Sequence, residues 1–242
     1  MANKDNIFAT PREHVSDFCF DDAVAEVFPD MINRSVPGYQ TIIDTIGELG
    51  QAYVTPQSNV FDLGCSLGAA SLSVARRCPP DQCQIYAIDS SEAMVKRCQR
   101  VVDAFNLPNQ IAVSEGYAQS VEIQNASMVI MNFTLQFIAP DERKALLKTI
   151  YDGLNPGGIF VLSEKVKHEQ DSGNHLINNL HLNFKRNNGY SELEISQKRA
   201  ALENVMLIDS FSTHESRLRE IGFSDVVMWY KCYNFMSLVA IK

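Results

Sequence analysis

From residue 58 onward, short apolar segments alternate with helical segments, and this alternation limits the possible folds more than any other feature. Five apolar runs predict strands, at residues 59–63, 84–88, 111–114, 128–131 and 159–163. The intervening segments predict helices at residues 69–77, 91–105 and 141–154. Continuous apolar strands that alternate with helices are typical of a parallel sheet covered on both faces, so the sequence predicts an α/β fold.

The ends of the chain depart from this alternation. Residues 1–36 are mixed and irregular, and a helix is expected from Pro37 because proline suits a first helical turn. Near the C-terminus a helix is expected at 213–221. The segments 226–230 and 235–241 follow it closely enough to pair as a hairpin, which would reverse the last strand of the sheet.

The whole chain, residues 1–242, is therefore expected to form a single domain. Within it, residues 1–54 form an N-terminal helical lid region. Residues 165–211 are polar and predict a helical insert that lies over the carboxyl edge of the sheet.

Composition excludes several classes of function. The chain carries 21 basic and 29 acidic residues, a net charge of −8, so direct binding to nucleic acid is not expected. The longest uncharged run, residues 123–140, is too polar to span a bilayer, and no membrane association is expected. The six cysteines form no CxxC pair, which argues against a zinc site. We therefore expect a cytoplasmic protein with reduced thiols and no metal.

A glycine-containing turn follows the first predicted strand. Gly64 and Gly68 are separated by Cys65, Ser66 and Leu67. Glycines let the backbone turn sharply and approach a ligand closely, and this turn lies at the strand end where doubly wound sheets bind ligands. The spacing is not GxGxxG, so a smaller nucleoside is favoured over a pyrophosphate cofactor.

An acidic residue, Asp89, ends the second predicted strand. A carboxylate at this edge can accept hydrogen bonds from both ribose hydroxyls. Taken alone, either motif is equally well explained by a structural turn or a helix cap. Together, in the correct strand order, they favour a nucleoside cofactor.

Three segments carry a resemblance to a known superfamily: DLGCSLG after the first strand, AIDSS after the second, and GLNPGGIFVLSE through the fifth. They resemble class I S-adenosylmethionine-dependent methyltransferases over about residues 55–165 and 212–242. The resemblance implies a Rossmann-like sheet of seven strands, with helices on both faces and a reversed last strand.

A narrower resemblance covers nearly the whole chain. The segments VAEVFPDMINRSVPGY, NASMVIMNFTLQF, FKRNNGYSELEISQKRAALENVM and CYNFMSLVAIK resemble the carboxy-S-adenosyl-L-methionine synthase family. The resemblance implies conversion of S-adenosyl-L-methionine, as substrate, and prephenate into carboxy-S-adenosyl-L-methionine and phenylpyruvate. It also implies a homodimer whose product serves tRNA wobble-uridine modification through a separate carboxymethyltransferase.

The family resemblance assigns roles to residues at one end of the cofactor. It implies that Asp89 holds the ribose and that Ser90 borders the adenine. Gly64, Cys65 and Ser66 would supply backbone contacts. The Cys65 thiol is not expected to act as a nucleophile, because no basic partner is evident near it in the sequence.

The same resemblance implies roles for residues near the amino-acid end and the sulfonium of the cofactor. Tyr39 would close over the cofactor and hydrogen-bond its amino-acid end, and Asn132 would lie near the sulfonium and its reactive carbon. Arg199 matches the family's carboxylate-binding arginine and is the expected catalytic residue, within its own subunit or across a dimer. Each also has a purely structural interpretation. Tyr39 could be a core tyrosine, Asn132 could satisfy backbone groups at a strand end, and Arg199 could be an exposed helix residue beside Lys198.

The sequence departs from the family pattern after the third strand. That pattern has an acidic and an apolar residue near the adenine, where this chain has Tyr117 and Ala118. A tyrosine is not an acceptor-only carboxylate, although its ring can stack on the adenine and the local backbone can bind it.

Two other functions remain open at this point. One is a conventional methyltransferase for a small acidic metabolite, because the fold does not decide the function. The other is an inactive protein that binds the cofactor, which Tyr117 mildly favours. The dimer is equally open, because the apolar residues of the insert could pack in the core. These residues are Leu176, Ile177, Leu180, Leu182 and Phe184.

Overall fold

The computed structural model describes residues 3–79, 82–105 and 111–242. Its helices are α1 Asp22–Ser35, α2 Tyr39–Tyr53, α3 Ala69–Arg77, α4 Glu92–Ala104, α5 Arg143–Gly153, α6 Asp171–Asn187, α7 Glu192–Leu202 and α8 Phe211–Ile221. Its strands are β1 Ser58–Leu63, β2 Cys83–Asp89, β3 Ile111–Glu115, β4 Ala126–Asn132, β5 Leu154–Lys165, β6 Asp225–Cys232 and β7 Phe235–Ile241.

The strands form one seven-stranded sheet in the order β3-β2-β1-β4-β5-β7-β6. The first five strands in this order are parallel, whereas β7 runs antiparallel to both β5 and β6. At the reversed pairing, the hydroxyls of Ser163 and Ser237 lie 2.9 Å apart within the buried sheet. The predicted α/β class and the reversed last strand are confirmed.

The middle of the sheet is buried on both faces. Every residue of β4 except Asn132 is buried. Val129 and Met131 pack against α5 and α8 on one face, and Met128 and Ile130 pack against α2 and α3 on the other. Because helices cover both faces, the strands can be apolar throughout, which explains the continuous runs in the sequence.

Residues 22–35 form helix α1, so the expectation of irregular structure there was wrong. Asp21 caps the helix by accepting a 2.9 Å hydrogen bond from the Val24 backbone nitrogen. Pro29 lies inside the helix and removes one backbone donor. Burial of an apolar face that includes Met31 stabilises the helix despite that loss.

The insert contributes α6 and α7, and the N-terminal segment lies along α7. The side-chain amide of Gln197 donates 2.9 Å hydrogen bonds to the carbonyl oxygens of Phe8 and Thr10. Its amide oxygen accepts from the backbone nitrogen of Arg12 at 2.8 Å. These contacts fix residues 8–12 against α7. Within the described ranges, none of the helices combines the length and apolarity needed to cross a membrane.

Candidate functional site

A cavity of about 400 Å³ lies at the carboxyl edge of the parallel strands. Strands β1, β2, β4 and β5 contribute their last residues or the turns after them, and α1, α2, α6 and α7 supply the opposite wall. The volume is in the range of small-molecule sites, and the position is the usual ligand site of an open α/β sheet.

The turn after β1 brings backbone to the cavity wall. The backbone nitrogens of Gly64 and Cys65 both donate to the Ile88 carbonyl oxygen, at 2.8 and 3.0 Å. Gly64 has a φ of +82°, and a Cβ there would lie 2.2 Å from Thr134 Oγ1. Glycine is therefore required at this position by both backbone conformation and space.

Asp89, at the end of β2, ties this turn to the neighbouring strand. One carboxylate oxygen accepts from the Ser66 backbone nitrogen at 2.8 Å, and the other accepts from the Ser91 backbone nitrogen at 2.9 Å. Burial raises the pKa of Asp89, and these backbone hydrogen bonds oppose the rise. Each oxygen retains acceptor capacity toward the cavity, which suits a diol.

A second carboxylate, Asp62, lines the cavity beside the turn and was not among the residues predicted for the site. Its side chain is buried and accepts from the backbone nitrogen and hydroxyl of Ser71, at 3.1 and 2.6 Å. Burial raises its pKa to about 6, with a smaller contribution from the nearby charge of Asp89, while the Ser71 hydrogen bonds act in the opposite direction. The sequence feature that could have identified it is an acidic residue two positions before Gly64.

Tyr39 and Asn132 also line the cavity. Tyr39 is the first residue of α2, and its pKa is raised by burial and by the charge of Asp62. Asn132 ends β4, and its buried Oδ1 atom has no hydrogen-bond partner among the described residues. Because a buried polar atom without a partner is costly, Oδ1 is an acceptor available to a bound ligand.

The predicted adenine-end residues also line the cavity. Ser90 follows β2, and Tyr117 and Ala118 follow β3. The side chain of Tyr117 is 68% exposed, so its ring is not committed to the core. It is free to stack on a ligand.

The Cys65 side chain is not a reactive thiolate. It is buried and lies against Cys98. A hydrogen bond with Cys98, followed by burial, raises the pKa of Cys65 well above its ordinary value. The thiol is therefore protonated at neutral pH, and only its backbone is available as a donor.

The opposite end of the cavity is basic, and its lysines were not among the residues predicted for the site. Lys165 from β5, Lys185 from α6 and Lys198 from α7 all line it, together with His181. Burial lowers the pKa of Lys185 to about 7 and that of Lys198 to about 8. Burial, opposed only partly by a 2.8 Å hydrogen bond to the Ser35 carbonyl oxygen, lowers the pKa of His181 to about 3, so this ring is neutral.

Arg199 does not line the cavity, unlike the other nine predicted site residues. It is exposed on α7, while its neighbour Lys198 is buried and turned inward. Its charge nevertheless contributes, after burial, to lowering the pKa of Lys165. Arg199 therefore lies beside the basic end of the cavity and outside it.

Comparison with known proteins shows which family the chain belongs to. A family model described as a methyltransferase domain matches residues 60–158. Carboxy-S-adenosyl-L-methionine synthase of Alteromonas mediterranea is 64% identical over all 242 residues of both chains. The enzyme of the same name from Salmonella paratyphi C is 55% identical over the whole chain and 98% of its own length.

The chain belongs to the carboxy-S-adenosyl-L-methionine synthase family. Solved structures of S-adenosylmethionine-dependent methyltransferases share the fold of this chain. Human N-acetylserotonin methyltransferase in complex with SAM has a TM-score of 0.63 and 18% identity, over 97% of this chain and 61% of that one. A SAM-dependent methyltransferase from Aquifex aeolicus has a TM-score of 0.60 and 16% identity, over 92% and 99%. As a member of the synthase family, this chain is an enzyme of the S-adenosylmethionine-dependent methyltransferase superfamily.

Proposed function

We propose that this enzyme converts S-adenosyl-L-methionine and prephenate into carboxy-S-adenosyl-L-methionine, phenylpyruvate and water. The observation that carries the proposal is identity of 64% over the full length to a protein of that name. A cavity that is acidic at one end and basic at the other supports it, because one substrate is a sulfonium cation and the other is a dianion.

The acidic end suits S-adenosyl-L-methionine. In the proposed complex Asp89 accepts from the ribose hydroxyls, and Ser90, Tyr117 and Ala118 surround the adenine. The turn from Gly64 to Ser66 provides close backbone contact. All of these residues line the cavity.

The amino-acid end of the substrate would extend toward β1 and β4. Asp62 there offers a buried negative charge to the ammonium group, and Tyr39 lies close enough for its pKa to be raised by that carboxylate. Asn132 Oδ1, which lacks a partner among the described residues, faces the place proposed for the reactive carbon.

The proposed reaction requires the protein mainly to position its two substrates. When bound, S-adenosyl-L-methionine supplies a methyl group acidified by its sulfonium, and prephenate loses its ring carboxylate and hydroxide as its ring becomes aromatic. The methyl proton combines with the hydroxide to form water, and the carbon dioxide is retained on the methyl carbon. The cavity walls hold the two reactants together and exclude bulk water.

The proposal includes a homodimer, in which the exposed Arg199 of one copy binds a carboxylate at the basic end of the other copy's cavity. Two features support it. Arg199 does not line the cavity of its own chain, and Leu176 and Leu180 of α6 are 60% and 40% exposed, so core packing does not account for them. We further propose a cytoplasmic enzyme without a metal or direct RNA contact, whose product is used by a separate tRNA carboxymethyltransferase.

Mass spectrometry of the nucleosides tests the proposed function. Purified protein is incubated with S-adenosyl-L-methionine, with and without prephenate, and then denatured. The expected product is one carbon dioxide heavier than S-adenosyl-L-methionine and forms only with prephenate. Formation of S-adenosylhomocysteine together with a methylated acceptor, and no heavier species, would instead identify a conventional methyltransferase. Unchanged S-adenosyl-L-methionine under all conditions would identify an inactive binding protein.

A further inference from the structure

The ends of neighbouring strands divide the cavity by charge. The sheet order β2-β1-β4-β5 places Asp89, Asp62, Asn132 and Lys165 in sequence along one edge. Neighbouring strands are about 4.8 Å apart, so the backbone of β5 lies roughly 10 Å from that of β1. Lys165 is also four residues further along the strand direction than Val161, the β5 residue level with Asp62. A cation held at the carboxylates would therefore leave the lysine end available to a second ligand.

Two of the lysines at this end differ from the third in their direct contacts. Among the described residues, the ammonium groups of Lys165 and Lys185 have no hydrogen-bond or ion-pair partner, although both line the cavity. Lys198 differs, because its Nζ atom lies 3.1 Å from Ser35 Oγ and 3.5 Å from an Asp5 carboxylate oxygen. Among the described residues, the Asp5 carboxylate pairs directly with Lys198 and with neither of the other two lysines, and the charge of Asp30 also acts on Lys198.

Two of the lysines act on the third, Lys185. After burial, the charges of Lys198 and Lys165 are the next causes that lower the pKa of Lys185, and Asp5 opposes them. His181, which also lines this end, is neutral and adds no charge. Bringing partly buried positive charges together without partners costs free energy, and such an arrangement is typical of a binding site for an anion.

We propose that Lys165 and Lys185 form the subsite for the second substrate, a small dianion whose carboxylate binds between them next to the reactive carbon. Lys198, held by Asp5, Ser35 and Tyr190, acts as a positioning residue that adds to the positive field. This inference rests on the proposed function for the identity of the dianion, prephenate. It assigns the lysines independently of Arg199, which does not line this cavity.

The amino-acid carboxylate of S-adenosyl-L-methionine is the competing ligand for these lysines. The two assignments differ in what they predict for a lysine variant. A lysine that serves the second substrate changes prephenate binding alone, whereas one that serves the first substrate also changes S-adenosyl-L-methionine binding. Methionine replaces lysine with a similar shape and without charge, so it separates these effects from packing.

The test compares Lys165→Met and Lys185→Met with Lys96→Met, a control at an exposed position on α4. For each variant, calorimetry measures the Kd of S-adenosyl-L-methionine, and that of prephenate with S-adenosylhomocysteine present, which requires no turnover. We expect the Kd of prephenate, and its KM, to rise roughly 10- to 100-fold in both subsite variants, as for loss of a charge-assisted hydrogen bond. The Kd of S-adenosyl-L-methionine should stay within about twofold.

Urea unfolding of the same lysine variants gives a second, independent measurement. Removal of an unpaired ammonium should leave the urea midpoint unchanged or raise it, whereas a structural lysine would lower it. Unchanged prephenate affinity in both variants, or equal weakening of both ligands, would overturn the subsite. If wild-type protein binds prephenate through these lysines and yet forms no carboxylated product, the subsite stands and the proposed reaction fails.

Discussion

Asp89 Oδ2 accepts a 2.8 Å hydrogen bond from the backbone nitrogen of Ser66, so the acid that ends β2 holds the turn that follows β1. The same carboxylate group lines the cavity. Ligand contact and backbone geometry at this edge of the sheet are therefore coupled through one side chain, and a ligand that engages Asp89 also meets a fixed turn.

Asp89→Asn is expected to weaken S-adenosyl-L-methionine binding roughly 10- to 100-fold, because an amide offers one acceptor oxygen where the carboxylate offers two. Calorimetry gives the Kd directly. Asp103→Asn, at an exposed position on α4, is the matched control and should leave the Kd unchanged. Equal affinities for the Asp89 variant and the wild type would exclude Asp89 as the ribose acceptor.

Gly64→Ala should destabilise the fold more than Gly157→Ala. Both glycines have positive φ, +82° and +76°, so both alanines carry the backbone strain of about 1 kcal/mol. Only at position 64 does the new Cβ meet a neighbour, Thr134, whereas nothing lies within 4 Å at position 157. The extra loss at position 64 should be about 1–3 kcal/mol in urea unfolding. Equal losses would contradict the close approach of Thr134.

Affinity for S-adenosyl-L-methionine should fall as the pH falls through about 6. The pKa of Asp62 is raised to about 6 in the ligand-free protein. A cationic ligand prefers the ionised carboxylate, so below this pH binding must first remove a proton, which costs up to about tenfold in affinity per pH unit. Calorimetry from pH 5 to 8 measures the profile.

The Asp62→Asn variant supplies the control for that profile. Its amide oxygen can still accept from Ser71, and it has no proton to lose. We expect weaker binding and a flatter dependence on pH, with the remaining slope due to Asp89, whose pKa is also raised. A wild-type affinity that does not change between pH 5 and 7 would rule out this role for Asp62.

Arg199→Ala and Asn132→Ala should each abolish product formation, and co-expression of the two should restore part of it. If Arg199 acts across a dimer, a mixed dimer contains one site with both residues intact, so about a quarter of all sites are active after random pairing. Differently tagged chains allow the mixed dimer to be purified and assayed. Absence of any recovery in that dimer would show that Arg199 acts within its own chain.

The sequence predicted the parts of the site that depend on strand ends. The apolar runs fixed the order of β1, β2 and β4 along the chain, and in a parallel sheet their carboxyl ends meet at one edge. Gly64, Asp89 and Asn132 therefore came together as expected. The hydrogen bonds that they form could not be predicted from the sequence, because the register between strands decides which oxygen faces which nitrogen.

The basic end of the cavity could not be predicted in the same way. Lys165, Lys185 and Lys198 belong to three elements that are brought together only by the packing of the insert. Helix α7 also buries polar side chains, including Glu194 and Gln197, so apolar periodicity does not show which face points inward. For that reason the sequence could not tell that Lys198 faces the cavity while Arg199 does not.

Transfer of the carboxyl carbon is the central claim, and isotopic labelling tests it most directly. Prephenate labelled at its ring carboxylate carbon is incubated with the enzyme and S-adenosyl-L-methionine, and the nucleosides are analysed by mass spectrometry. The proposed reaction predicts a carboxylated nucleoside that carries the label, in amounts equal to the phenylpyruvate formed. A carboxylated product without the label, or phenylpyruvate without any carboxylated nucleoside, would contradict it.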